Sequence, residues 1–274
     1  MSAAVAPEPR HTLGTHDAGA STWQVTSALG RRSMYRIFRV PAAVVPVIVM
    51  PIFFVVAFGG AFSSLVDIPG FPTDNALNWF LPWAILQGAA FAGVGAAFSI
   101  ATDLENGFMD RLLLAPMRRL TLVTGPCLGA MVRGLLPFLL VTPIAFVGGA
   151  RLTDGPIGFV TLLVAVEGLA LIATLWGLAV TFRFRTQRSS SLIQVGIFVS
   201  FFLSVSQVPL ELLTGWLHEV ATYNPMTYVL ELARQGFLDE GVTWDQTWPG
   251  LLAIVAGLAF FGSLAWRGAS TLTD

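Results

Sequence analysis

The sequence predicts an all-α integral membrane protein. It has six transmembrane helices, an N-terminal interfacial amphipathic helix and short outer-side helices before the last span. Three observations predict this. Of 274 residues, 55% are hydrophobic and only 11% charged, where a soluble domain carries about 25% charged residues. The apolar residues come in blocks of membrane-spanning length, with charge confined between them. The arginines gather on one side of those blocks.

The elements follow in order. Residues 1–20, MSAAVAPEPRHTLGTHDAGA, lack the apolar core of a cleavable signal peptide and read as a flexible cytoplasmic tail. Residues 21–40 mix Trp23, Val25, Leu29, Tyr35 and Phe38 with Arg31, Arg32, Arg36 and Arg39. That stretch is too charged to span and reads as an interfacial helix, its arginines reaching toward lipid headgroups. Residues 41–267 hold the six-span domain. Span one, Pro41 to Phe62, carries Pro41, Pro46 and Pro51, which membrane helices tolerate. Span two, Asn78 to Ile100, opens on Trp79 and Trp83 as an interfacial aromatic belt. Span three runs from Leu122 to Gly149 and is longer than a bilayer needs, so the helix is expected to dip in near Arg133. Span four is Ile157 to Thr181, and span five is Leu192 to about Val208. Residues 209–246 are too acidic to span, yet PLELLTGWLHEVA and MTYVLELARQGF are amphipathic at helical spacing. They read as two short outer-side helices separated by Tyr223-Asn224-Pro225. Span six is Trp248 to Trp266, and residues 268–274 form a cytoplasmic tail.

This layout places Arg31, Arg32, Arg36, Arg39, Arg111, Arg118, Arg119, Arg183, Arg185, Arg188 and Arg267 on one side, against Arg151 and Arg234 on the other. That is eleven against two. The positive-inside rule puts both termini in the cytoplasm, and an even number of spans agrees. The high Ala, Gly and Arg usage suggests a GC-rich bacterial genome, and the expected location is the bacterial plasma membrane.

All fifteen basic residues are arginine. The phosphate-binding loop of common ATPases needs a lysine, so this chain contains no such loop, and lysine Schiff-base chemistry is excluded as well. Cys127 is the only cysteine, which excludes an internal disulfide and a thiolate metal cluster. Nothing beside His218 suggests a metal site. No catalytic site is expected in this chain, and no nucleic-acid partner.

One short polar knot, ATDLENGFMDRLLLAPMRRL from Ala101 to Leu120, separates spans two and three on the arginine-rich side. Gly107 frees the backbone where the chain turns. Residues 108–114 can then form about two helical turns with Phe108, Leu112 and Ala115 near one face. Pro116 stops the helix. The expected product is a small amphipathic helix across the cytoplasmic face. Glu105 and Arg111 are six residues apart and can brace the turn only if the chain bends near Gly107.

The pattern Asp103, Glu105, Gly107, Asp110-Arg111 and Pro116 resembles the membrane subunits of type-2 ABC exporters, especially the drug-resistance branch typified by the daunorubicin exporter's permease. A second match is Asn224-Pro225-Met226-Thr227-Tyr228, followed by Glu231 and Arg234, similar to the family's NPxTY-like stretch. The resemblance runs from about Ser21 onward. It implies that residues 103–116, with Phe108 and Leu112, form a coupling helix that docks on a separate ATP-binding subunit, where ATP and Mg are held. It also implies a second permease subunit, in a homodimer or heterodimer. It leaves the cargo open: a drug, a lipid or a lipid-linked glycan. The wall of Phe, Leu and Ala suits an amphipathic or lipid-like cargo.

Glu167 stands alone in the middle of span four, LLVAVEGLALIATLWG. An ionised side chain there costs about 2.5–3.5 kcal/mol on insertion scales, so it should face protein or a wet cavity. It is a candidate for the substrate path, for proton relay, or for a hydrogen bond to a neighbouring helix. Asp103, Arg133, Ser200, Ser204 and Ser206 are partners only by depth. Two other classes compete. A secondary transporter or channel would want charged residues or broken helices in two repeats. A membrane-embedded enzyme would want a cluster of reactive side chains near one interface.

Overall fold

The computed structural model describes residues 27, 28, 30, 31, 45–113 and 120–272. The 1–20 tail, most of the 21–40 segment with Arg32, Arg36 and Arg39, Pro116, and the side chains of Asp110 and Leu112 lie outside the described residues. A five-residue π turn, Val45–Val49, leads into α1, Met50–Ala61. Then come α2, Ala76–Glu105; α3, Phe108–Leu113; α4, Thr121–Val147; and α5, Gly155–Phe184. The chain ends with α6, Ser190–Phe202; α7, Trp216–Tyr223; α8, Pro225–Arg234; and α9, Trp244–Ser270.

Among the described residues four helices, α2, α4, α5 and α9, are long and apolar enough to cross a membrane. At about 1.5 Å rise per residue each exceeds the ~30 Å hydrocarbon core of a bilayer. The protein is thus an all-α, multi-pass helical bundle. The other two expected spans come out shorter. Around α1 the apolar helix runs over Val47–Ala61. The fifth expected span keeps only the 13 residues of α6, about 20 Å of helix.

α2 is the centre of the bundle, its residues 76–94 almost wholly buried, with α1, α4, α5, α6 and α8 packed around it. Lipid tails give no hydrophobic push between helices, so close backbone approach has to hold them together. The sequence supplies small residues for this. A Cβ on Gly93 of α2 would sit 2.8 Å from the Ala170 carbonyl oxygen of α5. Phe54 and Phe58 of α1 lie against Trp83 of α2, with ring centroids 5.1 Å apart in each pair. Phe53, Leu139, Val160 and Val255 point outward, as a lipid-facing surface requires.

Several boundaries differ from the sequence reading. α2 continues through Glu105, so Asp103 and Glu105 belong to the long helix and not to the short one; Asp103 is 3% exposed. α4 starts at Thr121, and Arg133 is three turns inside it and 6% exposed, its Nε donating to the Gly129 carbonyl at 3.1 Å. α9 includes residues 268–270 of the expected tail.

The helix ends sort into two groups. Arg111, Arg183, Arg185, Arg188 and Arg267 share one end of the bundle with α3. The opposite end carries the 62–75 and 203–243 segments and is stitched by side chains. Asn75 caps α2 by accepting from the Leu77 N–H at 2.9 Å, and its own amide donates to the Gly149 carbonyl at 2.7 Å. Asn78 donates to the Phe237 carbonyl at 3.1 Å and accepts from the Arg151 N–H at 2.8 Å.

Candidate functional site

In the first part of the polar knot α2 ends and the short helix α3 begins, at the arginine-rich end. α2 closes with the Asn106 N–H on the Thr102 carbonyl at 3.0 Å and the Gly107 N–H on the Leu104 carbonyl at 3.2 Å. Gly107 has φ +64, a left-handed conformation that glycine adopts without a Cβ clash, and the chain reverses there into α3. Met109 anchors the short helix, at 1% exposed, while Phe108 is half-buried and Arg111 stands exposed. The sequence reading passed over Met109. Arg111 thus stands exposed beside a turn anchored by Met109.

Glu105 is engaged elsewhere than at Arg111. Its Oε1 accepts from the backbone N–H of Gln187, at 2.7 Å, in the loop joining α5 to α6. That loop opens at Arg185, whose φ of +56 ends α5. The Arg185 guanidinium donates from Nη2 to the Thr271 carbonyl at 2.8 Å, just past α9. Side chains therefore tie α2 to the α5–α6 loop, and that loop to the end of α9.

At the opposite end the Asn-Pro-Met-Thr-Tyr stretch is a helix start whose every polar group has work. Asn224 caps α8, its Oδ1 accepting from the Met226 N–H at 3.0 Å. Its Nδ2 donates to the carbonyls of Ser200 and Leu203, at 2.8 and 2.9 Å. Pro225 takes the first helical position, where a missing N–H costs nothing. The hydroxyls of Thr227 and Tyr228 donate to the Ala221 and Thr222 carbonyls of α7, each at 2.7 Å.

Ten residues on, Arg234 is 1% exposed. It donates from Nε to the Trp79 carbonyl at 3.1 Å, from Nη1 to Val205 at 2.9 Å and from Nη2 to Ser206 at 3.1 Å. Asn224 takes carbonyls at the end of α6 and Arg234 those of the turn that follows it. Burial lifts the Glu231 carboxyl to about 7; the Arg234 charge pulls it back down and Glu211 pushes it up.

Glu167 faces α4, its Oε1 3.6 Å from where a Cβ on Gly134 would lie. Both carboxylate oxygens are buried and lack a hydrogen-bond partner among the described residues. The serines expected as partners are used locally. Ser200 donates to the Gly196 carbonyl, and Ser204 and Ser206 bond to the Phe201 carbonyl and to one another. Gln87 of α2, unremarked in the sequence, is wholly buried with its amide in the same unpartnered state.

A bundle of apolar helices, four of them long enough to cross a membrane, with a short anchored helix at its arginine-rich end, makes this a multi-pass helical membrane protein. The chain matches the ABC-2 type transporter family over residues 24–238 and belongs to that family. It is 24% identical to the daunorubicin resistance ABC transporter permease protein DrrB1 of Streptomyces coeruleorubidus, over 93% of this chain and 89% of that one. It is 26% identical to the inner membrane transport permease YadH of Escherichia coli, covering 90% and 96% of the two chains. It is 27% identical to the putative transport permease ycf38 of Pyropia yezoensis, covering 82% and 77%.

Proposed function

We propose that this chain is the transmembrane subunit of an ATP-driven exporter of the drug-resistance branch, moving a hydrophobic or amphipathic cargo out of a bacterial cell. The observation that carries this reading is the stance of α3. A short helix with Met109 buried and Arg111 exposed sits at the end of the most buried helix of the bundle. A push on it reaches the core directly. A separate ATP-binding subunit supplies that push and holds ATP and Mg. Arg111 offers it a forked set of donors for carboxylates or carbonyls, and Phe108 adds apolar area beside them.

In this reading the arginine-rich end is cytoplasmic and both termini lie there. α1 and α6, continued by their flanking residues, complete six spans. A second permease subunit pairs with this one, and lipid covers the outward apolar faces. Glu167 lies on the cargo path, where a buried carboxylate recognises a cationic group. The family relationship supports the ATP-binding partner, and the likeness to a daunorubicin resistance permease supports an amphipathic drug as cargo.

The test is reconstitution. The chain and its ATP-binding subunit, placed together in liposomes, should export daunorubicin with ATP. The same vesicles without ATP, or without the second subunit, should not. Export that persists without the ATP-binding subunit would reject the reading in favour of a secondary transporter.

A further inference from the structure

We propose that Glu105 caps the start of α6 from outside that helix, making the α5–α6 loop a second route by which a push on α3 reaches the bundle. This rests on the coupling reading above and goes beyond it. α3 is joined by the chain to α2 on one side and α4 on the other, and the chain reaches α6 only by way of α4 and α5.

The geometry supplies a direct route. A single 3-10 turn, Gln187–Ser189, runs straight into α6. The first N–H groups of a helical run need acceptors from outside it. The residue in cap position, Thr186, has the right extended backbone, φ −133 and ψ 150, but makes no side-chain cap bond. Glu105 fills that role from another helix, its Oε1 taking the Gln187 N–H at 2.7 Å. A carboxylate is also the favoured charge at a helix N-terminus.

The turn is stiffened so that it moves with α6. The Ser189 hydroxyl donates to the Thr186 carbonyl at 2.6 Å, and the Ser190 hydroxyl to Gln187 at 2.5 Å. Glu105 itself is the last residue of α2, two positions before the Gly107 reversal. Any displacement of α3 is felt there first.

α6 is suited to respond. One of its faces is open along its length, with Leu192, Val195, Val199 and Phe202 each about half exposed. Its far end is held by Asn224 and Arg234. A helix open on one face and pinned at each end by side chains of other elements tilts as a rod when one pin moves.

Gln187 permits a clean test. It is the first residue of its helical turn, where proline is tolerated, and Thr186 already has the backbone that precedes proline. Q187P removes the side chain and the donated N–H together, while Q187A removes the side chain and keeps the N–H, so the two differ at the cap bond. Spin-label pairs in a C127S background, in complex with the ATP-binding subunit, read the motion. V195C/L252C follows α6 against α9, and L139C/L252C follows α4 against α9.

Trapping the complex with ATP and vanadate should shift both distances in the parent and in Q187A. In Q187P the fraction of molecules at the shifted α6 distance should fall about tenfold or more, the range expected for one lost hydrogen bond to a charged group, while the α4 shift persists. E105A should lose the α6 shift too, E105Q should retain part of it, and E105A/Q187P should be no worse than either single variant. A full α6 shift in Q187P, with the α4 shift intact, would overturn the trans cap and leave the coupling reading standing. No shift of either pair in the parent would overturn the coupling reading and the cap together.

Discussion

The Arg234 guanidinium lies over the Trp79 ring, 3.5 Å from its centroid, while its Nε donates to the carbonyl of that same residue at 3.1 Å. One side chain thereby joins the start of α2, the turn that follows α6 and the end of α8, three segments far apart in sequence. Its cation–π contact adds to the three hydrogen bonds.

R234A should lower stability by about 2–4 kcal/mol, because three buried carbonyls lose their donor. R234K should recover little of that, since a single ammonium cannot reproduce the fork. Thermal unfolding in detergent reads both. A lysine variant as stable as the parent would show that charge alone, and not the fork, holds the joint.

Glu231 gives the opposite end a pH dependence. Its carboxyl stands at about 7 in the folded chain against 4.5 ordinarily, chiefly through burial. Folding therefore takes up a proton between those values. The contribution is full below about 4.5 and is lost as pH rises through 7. The thermal midpoint of the parent should fall from pH 5 to pH 8 relative to that of E231Q. Parallel curves for the two would contradict the buried, proton-holding state.

Glu167 has no hydrogen-bond partner among the described residues, so its removal should not weaken the bundle. E167L should gain up to about 2.5–3.5 kcal/mol, the insertion cost of an ionisable group at that depth. In the proposed role, E167Q and E167L should both slow export of daunorubicin, a cation, and leave a neutral amphipath nearly untouched. Equal loss for both cargoes, with reduced protein yield, would assign Glu167 to packing.

The sides of the membrane follow from the arginines. In a C127S background, a cysteine at Arg183 or Arg188 should label only from the cytoplasm, and one at Asp67 or Asp239 only from outside. Reversal at either outer position would break the six-span arrangement.

What could be read from the sequence had local causes. The break between the two short outer helices at Tyr223-Asn224-Pro225 was visible because a helix does not run on through a proline. The reversal at Gly107 was visible because only glycine turns there without strain. The role of Arg234 was not, since its acceptors on Val205 and Ser206 lie 29 and 28 residues away. The early end of α6 was hidden for a related reason. The residues up to Val208 stay mostly apolar, and it is the Ser204 and Ser206 hydroxyls, folding back on the Phe201 carbonyl, that mark the break. Glu105 looked like a partner for Arg111 because both sit in the knot, whereas its actual contact is 82 residues along the chain.

The claim that α3 receives work from an ATP-binding partner is tested most directly by contact and consequence at Arg111. In a C127S background, R111C should form a cross-link to the co-expressed ATP-binding subunit, and R111A should lose that subunit on purification together with daunorubicin-stimulated hydrolysis. Insertion and topology should stay normal, since the spans are untouched. If R111A keeps parental binding, stimulation and export, and R111C finds no partner to cross-link, then α3 is only a turn between two membrane helices and the coupling account is wrong.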